Sequence, residues 1–170
     1  MLTAGTPWFE FQKLRLFTGK GSIVLDKEPR QVVDEFINYT NRAGSGENVD
    51  PFGAFHEDIT WTMTGNTPIS RTYRGLDDIR NNIGLAMATQ FKTGRGYGIY
   101  PYQYINAGNR IVVLAKARGQ SAKGIPYRNS YFFLFEMKDG KIYRAVECYD
   151  GSHVMMCPFD MHLEESPVSS

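Results

Sequence analysis

From Asp58 to Thr64 the chain alternates without a break. Ile59, Trp61 and Met63 fall on one face, and Thr60, Thr62 and Thr64 on the other. Period two marks a half-buried strand, because successive side chains leave opposite faces of the pleat. Upstream, Lys27 to Ala43 keeps a helical period instead: Val32, Val33, Phe36, Ile37 and Thr40 recur at i, i+3 and i+4. Pro29 suits the first turn of that helix, and Gly44-Ser45-Gly46 ends it. Pro51 to Phe55 predicts a short helix that feeds the strand.

Beyond Thr64, Gly65-Asn66-Thr67-Pro68 predicts a turn and Arg71 to Tyr73 a short strand. Gly75 precedes a helix from Leu76 to Phe91 with an apolar set of Ile79, Ile83, Leu85, Ala86 and Met87. Tyr97 to Ile105 and Ile111 to Arg118 predict strands, and Asn129 to Met137 and Lys141 to Asp150 a hairpin about Asp139-Gly140. Helices early and long strands late make an α+β fold. We expect a cone-shaped, curved antiparallel sheet with helices on its concave side, enclosing a pocket. Residues 1–26 form an N-terminal extension that can dock through Trp8, Phe9 and Phe11. Residues 27–157 are the domain, and 158–170 a frayed C-terminal tail.

Composition narrows the function. Ten Tyr, eleven Phe and two Trp suggest a pocket lined by rings as well as a core. Net charge is +1, which gives no broad electrostatic reason to expect nucleic acid or an anionic membrane. Arg95 with Tyr97, Tyr100, Tyr102 and Tyr104 mixes a cation with rings, but there is no dense basic stripe beside them. Gly94, Gly96 and Gly98 enter a strand rather than open a helix, and Gly19-Lys20-Gly21-Ser22 follows no buried strand, so neither reads as a phosphate or dinucleotide site. Cys148 and Cys157 form no metal-ligand pattern, and no apolar run reaches membrane-spanning length. With no signal sequence visible, a reduced cytoplasmic setting is expected, with no cofactor, no metal, no nucleic acid and no membrane.

Polar groups on strands that face a pocket are the candidates for chemistry. Glu147 shares a strand face with Ala145 and Tyr149. In an apolar wall its carboxyl would have a raised pKa, suiting it to general acid–base work; at the rim it would pair with Arg144 or Lys116. Asn129 and Tyr131 share a face with Phe133 and Phe135, so they either hold a ligand oxygen or bond neighbouring strands. Asp58 starts the first strand beside His56, a group that can titrate near neutrality. Asp150 ends the last strand and can cap the following turn, His153 can close over the pocket, and His162 belongs to the tail. Trp61 and Met63 are core or pocket floor. Lys116 and Arg118 face either an anion in the pocket or solvent.

These residues carry a family likeness. Phe55-His56-Glu57-Asp58, Trp61, Gly65, Pro68 and Tyr73-Arg74-Gly75 form one motif. Asn129, Tyr131, Phe133, Asp139-Gly140-Lys141-Ile142 and Glu147-Cys148-Tyr149-Asp150 form another. Over residues 27–157 the chain resembles the SnoaL-like, ketosteroid-isomerase-like branch of the nuclear transport factor two superfamily. That resemblance implies the cystatin-like fold and a homodimer through the outer sheet face. It also implies a reaction drawn from isomerases, polyketide cyclases, dehydratases and epoxide hydrolases, or a non-catalytic binder.

The likeness departs at the reacting positions. Where ketosteroid isomerases place their carboxylate base the chain has Met63, and where they place the oxyanion-holding acid it has Tyr131. The isomerase helix tyrosine falls near Phe36 or Ile37, with Tyr39 the nearest phenol. Limonene-type epoxide hydrolases use an Asp-Arg-Asp set; here Glu147 matches the last, and the others fall near Lys116 and Arg118. The expected function is therefore acid–base isomerisation, cyclisation or dehydration of a hydrophobic carbonyl compound of polyketide, terpenoid or steroid type. In it Glu147, Tyr131, Asn129 and Asp58 are catalytic. Trp61, Met63, Phe133, Tyr149, Lys116 and His153 bind the substrate. Epoxide hydrolysis and non-catalytic ligand binding are the alternatives.

Overall fold

A computed structural model describes residues 27–92, 94 and 96–161. The N-terminal extension, Arg95 and His162 lie outside those residues. Helix α1 spans Pro29–Gly44, with Pro29 in its first turn; the Glu28 backbone N–H, just before it, donates to Gln31 Oε1. Its buried stripe is Val32, Val33, Phe36 and Ile37. Thr40, expected in that stripe, is half-buried and donates its hydroxyl to the Phe36 carbonyl. A 3-10 turn at Pro51–Ala54 leads into β1, Phe55–Met63.

Strand β2 (Thr72–Arg74) returns antiparallel to β1 and runs into helix α2 (Gly75–Ile79) through Gly75, whose φ of 79° suits glycine. The predicted single helix is broken by a π turn at Arg80–Gly84 before α3, Leu85–Gln90. Ile79 and Ile83 face inward, but Leu85 is 59% exposed, because the wider turn rotates the later residues out of register. Strands β3 (Gly98–Ala107), β4 (Arg110–Gln120), β5 (Pro126–Lys138) and β6 (Lys141–Tyr149) follow. Asp139 and Gly140 both take positive φ, 51° and 69°, as the tight β5–β6 hairpin requires. A short helix α4, Gly151–Met156, which the sequence pattern did not reveal, is capped by Asp150 Oδ1, which accepts from Ser152 N and His153 N.

The six strands form one curved, unclosed sheet in the order β2-β1-β6-β5-β4-β3. Against the expectation of a wholly antiparallel sheet, β1 lies parallel to β6. The chain's first long strand is thereby placed beside its last, between the α2 side of the fold and the hairpin. Inward positions alternate with clean burial along β5, where Tyr127, Asn129, Tyr131, Phe133, Phe135 and Met137 all point to the helices. Among the described residues no helix is long and apolar enough to cross a membrane.

Candidate functional site

Between the concave sheet and the helices lies a cavity of about 340 Å³. Its sheet wall is Trp61 and Met63 from β1, Tyr131 and Phe133 from β5 and Glu147 from β6; its helical wall includes Phe36, Ile83 and Met87. The π turn places Ile83 and Gly84 there together. Of the C-terminal tail placed at 158–170, Pro158 is buried, Phe159 lines the cavity and Lys123 forms an ion pair with Asp160 beside it, while the ESPVSS end lies outside the described residues.

Glu147 is the one carboxylate on this wall among the described residues, and it is 4% exposed. Strand register explains its surroundings: Met63 of β1 stands opposite it on one side and Phe133 of β5 on the other. Its backbone is pinned by Thr64, whose N–H and hydroxyl both donate to the Glu147 carbonyl, at 2.9 and 3.1 Å. On the side chain, Oε2 is buried without a hydrogen bond, as is the Trp61 indole Nε1. Burial in this apolar wall pushes the Glu147 carboxyl up to about 8; the neighbouring Trp61 indole opposes the shift without closing a hydrogen bond. The rim pairing does not form. Arg144 leaves β6 on the opposite, exposed face, and Lys116 donates to Ser130 Oγ at 2.7 Å.

Tyr131 sits one step diagonally from Glu147 on the same sheet face, since it pairs with Tyr149 while Phe133 pairs with Glu147. Its ring stacks on Phe133 at 5.2 Å with an interplanar angle of 6°. Burial, and then nearby Tyr97, push its phenol well above the ordinary value; burial, and then the Glu147 charge, do the same for Tyr97. Both are therefore neutral hydrogen-bond donors at any physiological pH. Tyr97, which the sequence pattern placed only at the start of a Tyr-rich strand, is 8% exposed and lines the cavity.

Five of the predicted residues meet at the cavity: Glu147, Tyr131, Trp61, Met63 and Phe133. The other five do not line it. Asn129 is buried, but its amide is occupied by the Ser130 and Asp150 backbone and the Tyr127 hydroxyl. Asp58 points to solvent with its side chain 71% exposed, because it precedes the inward run of β1. Lys116 lies on the outer sheet face, where the alternation that buries Ala115 and Ala117 exposes it. Tyr149 turns its hydroxyl to Thr67 Oγ1 (2.9 Å) and Ser70 Oγ (3.2 Å), holding the 65–70 loop that carries the lining residue Ile69. His153 stacks on Tyr127 at 5.2 Å, and its Nε2 accepts from the Arg128 N–H. His56 is equally remote, accepting from Asp58 N and touching Tyr143 edge-on.

Tyr127 was missed, although it lies two residues before Asn129 on the same alternating face and is 2% exposed. Extending the Asn129–Tyr131–Phe133 pattern back by one step would have found it. Among the described residues no three His, Cys, Asp or Glu are grouped to hold a metal ion.

The SnoaL-like domain model matches residues 33–145, more than half of the chain. The protein belongs to the SnoaL-like family. No curated protein matches it, whereas solved structures of the same fold do. An NTF2-like protein of unknown function from Burkholderia pseudomallei is similar at 19% identity and TM-score 0.64, covering 76% of this chain and 96% of that one. A protein of ketosteroid-isomerase-like fold from Catenulispora acidiphila, solved in complex with trimethylamine, is 17% identical at TM-score 0.61, covering 78% and 98%. TerC, co-crystallised with polyporic acid, is 18% identical at TM-score 0.60, covering 72% and 91%. At these identities the likeness fixes the fold of this SnoaL-like protein, and its chemistry has to be argued from its own cavity.

Proposed function

We propose that this SnoaL-like protein is a cofactor-independent acid–base enzyme acting on a hydrophobic carbonyl compound, with Glu147 moving the proton. The observation that carries the reading is a single buried carboxyl, with Oε2 unpartnered, in a largely apolar cavity whose lining also holds Thr40, Gln90 and Lys92. An uncompensated buried acid is costly to a fold, and strongly shifted acids in clefts cluster at functional sites. In the ionised form Glu147 takes a proton from the carbon beside the carbonyl. The C–H electron pair becomes the enolate double bond, and the carbonyl π pair moves to oxygen. Tyr131 donates to that oxygen, and Glu147 returns the proton at another carbon to complete an isomerisation. The diagonal spacing of Tyr131 and Glu147 leaves room for a C–C=O unit between them. Trp61, Met63 and Phe133 enclose the reacting atoms and keep water away, which strengthens both contacts.

In this reading Asn129 takes no direct part in holding the oxyanion and Asp58 none in catalysis, because the Asn129 amide is already bonded and the Asp58 side chain is 71% exposed. With Asp58 in solvent, epoxide opening lacks a second carboxylate on the described wall. The polyporic acid bound to TerC is consistent with oxygenated organic ligands in this fold. Self-association is part of the proposal, through the outer sheet face that exposes Tyr100, Tyr102 and Phe132; sedimentation showing monomer alone would remove that part.

The test is to screen α,β- and β,γ-unsaturated cyclic ketones for loss of deuterium label at the α and γ carbons. Exchange by the wild type that is lost in a folded Glu147→Gln variant supports the proposal. Tight ligand uptake with no exchange in either protein would make the chain a binder.

A further inference from the structure

We propose that Tyr127 and Asn129 are positioning residues that fix the direction of the Tyr131 proton, so that a one-way chain of donors opens into the cavity. The inference rests on the reading of Tyr131 given above.

Asn129 fixes the first direction in the chain. Its Oδ1 lies 2.7 Å from Ser130 N and 3.0 Å from Asp150 N. Backbone N–H groups can only donate, so the amide oxygen must face them and the amide cannot be turned over. Nδ2 therefore faces the Asp150 carbonyl at 3.1 Å and Tyr127 Oη at 2.9 Å. An NH₂ group has no acceptor to offer, so Tyr127 Oη accepts. The Tyr127 hydroxyl has one proton, and its remaining partner is Tyr131 Oη at 2.7 Å.

Two directions exist for that last bond. If Tyr131 donated, Tyr127 would receive two donors and its own proton would be left buried without an acceptor. If Tyr127 donates, every proton in the chain has a place, and the Tyr131 proton is directed away from Tyr127. Tyr97, edge-on to Tyr131 at 6.2 Å and itself lining the cavity, is the acceptor within the protein for that proton, and a ligand oxygen takes its place. The run is then Asn129 to Tyr127 to Tyr131 to ligand, and each donor is strengthened by the bond it accepts. The geometry is held on both sides: Tyr131 stacks on Phe133, and Tyr127 lies between His153 at 5.2 Å and Phe91 at 5.1 Å. With the unpartnered Trp61 N–H beside Glu147, the wall offers donors, so the ligand atom it takes is an acceptor oxygen of carbonyl or enolate type.

The test uses 4-nitrophenol, whose phenolate imitates an enolate oxygen and absorbs separately from the phenol. It is run in the Glu147→Gln background, so that the carboxyl does not titrate alongside the probe. Tyr127→Phe keeps the ring stack and removes the donor behind Tyr131. The pKa of the bound probe should rise by about 0.5–1 unit, a three- to tenfold loss of phenolate affinity, the size of one neutral hydrogen bond. Tyr127→3-fluorotyrosine keeps the bond, makes position 127 a stronger donor and should shift the probe the other way. No shift in either variant overturns the positioning role. A fall in Tyr127→Phe also overturns it, because it means that Tyr131 had been donating to Tyr127. If instead Tyr131→Phe leaves the probe unchanged, or no variant takes up the probe, Tyr131 does not face the ligand and the proposed function itself fails.

Discussion

At the scale of single residues, Glu147 shows how neighbours decide what a carboxyl does. Asp58 and Glu147 both sit on long strands, yet Asp58 has water around it and Glu147 has Met63 and Phe133 on adjacent strands. Burial holds the Glu147 carboxyl near 8. A base with that value is mostly protonated at pH 7, so we expect kcat/KM to climb with pH and level off above about 8. Glu147→Gln cannot ionise and should lower turnover by at least about a hundredfold, the usual contribution of a positioned base. A pH–rate profile of both proteins checks this; a wild-type profile that is flat from pH 6 to 9 would sink the assignment of Glu147 as base.

At the scale of elements, register is what turns separate residues into a wall. The alternation of β1, β5 and β6 was legible, so Trp61, Met63, Tyr131, Phe133 and Glu147 could be named from sequence. What alternation does not carry is which strand lies next to which. The parallel β1–β6 pairing joins segments more than eighty residues apart, and nothing local encodes it. Nor does periodicity reveal that a strand-face polar residue is already occupied: Asn129 has the right parity, but backbone groups of Ser130 and Asp150 take its oxygen. The π turn was likewise missed, although Asn81, Asn82 and Gly84 within it are weak helix formers. Tyr149 belongs to this scale, since it ties the 65–70 loop to β6 through Thr67 and Ser70. Tyr149→Phe should cost about 1 kcal/mol of stability. It should also speed amide exchange at Thr67 and Ser70, while β5 and β6 amides stay protected; hydrogen exchange followed by mass spectrometry reads both. Unchanged exchange in the loop would mean that Tyr149 does not hold it.

At the scale of the whole molecule, a buried acid in a largely apolar wall couples folding to pH. The folded Glu147 pKa is raised from an ordinary 4.5 to about 8. Below the lower value both the folded and unfolded chains hold the proton, and the site costs nothing in ionisation. Between the two values the unfolded chain releases its proton while the folded chain keeps it, so stability falls as pH rises. Above the upper value both are ionised, and the full penalty of a buried charge is present. The integrated loss is on the order of 3–5 kcal/mol, which for a chain of this length lowers Tm by roughly 10 °C. The informative quantity is the difference between wild type and Glu147→Gln, in which contributions common to both proteins cancel. That difference should grow in favour of the variant from about pH 5 to pH 8 and then level off. Melting curves of the two proteins across that range measure it directly. Parallel curves would mean that Glu147 ionises in the folded chain much as it does in water, and a carboxyl so well solvated could not be the poised base on which the acid–base reading depends.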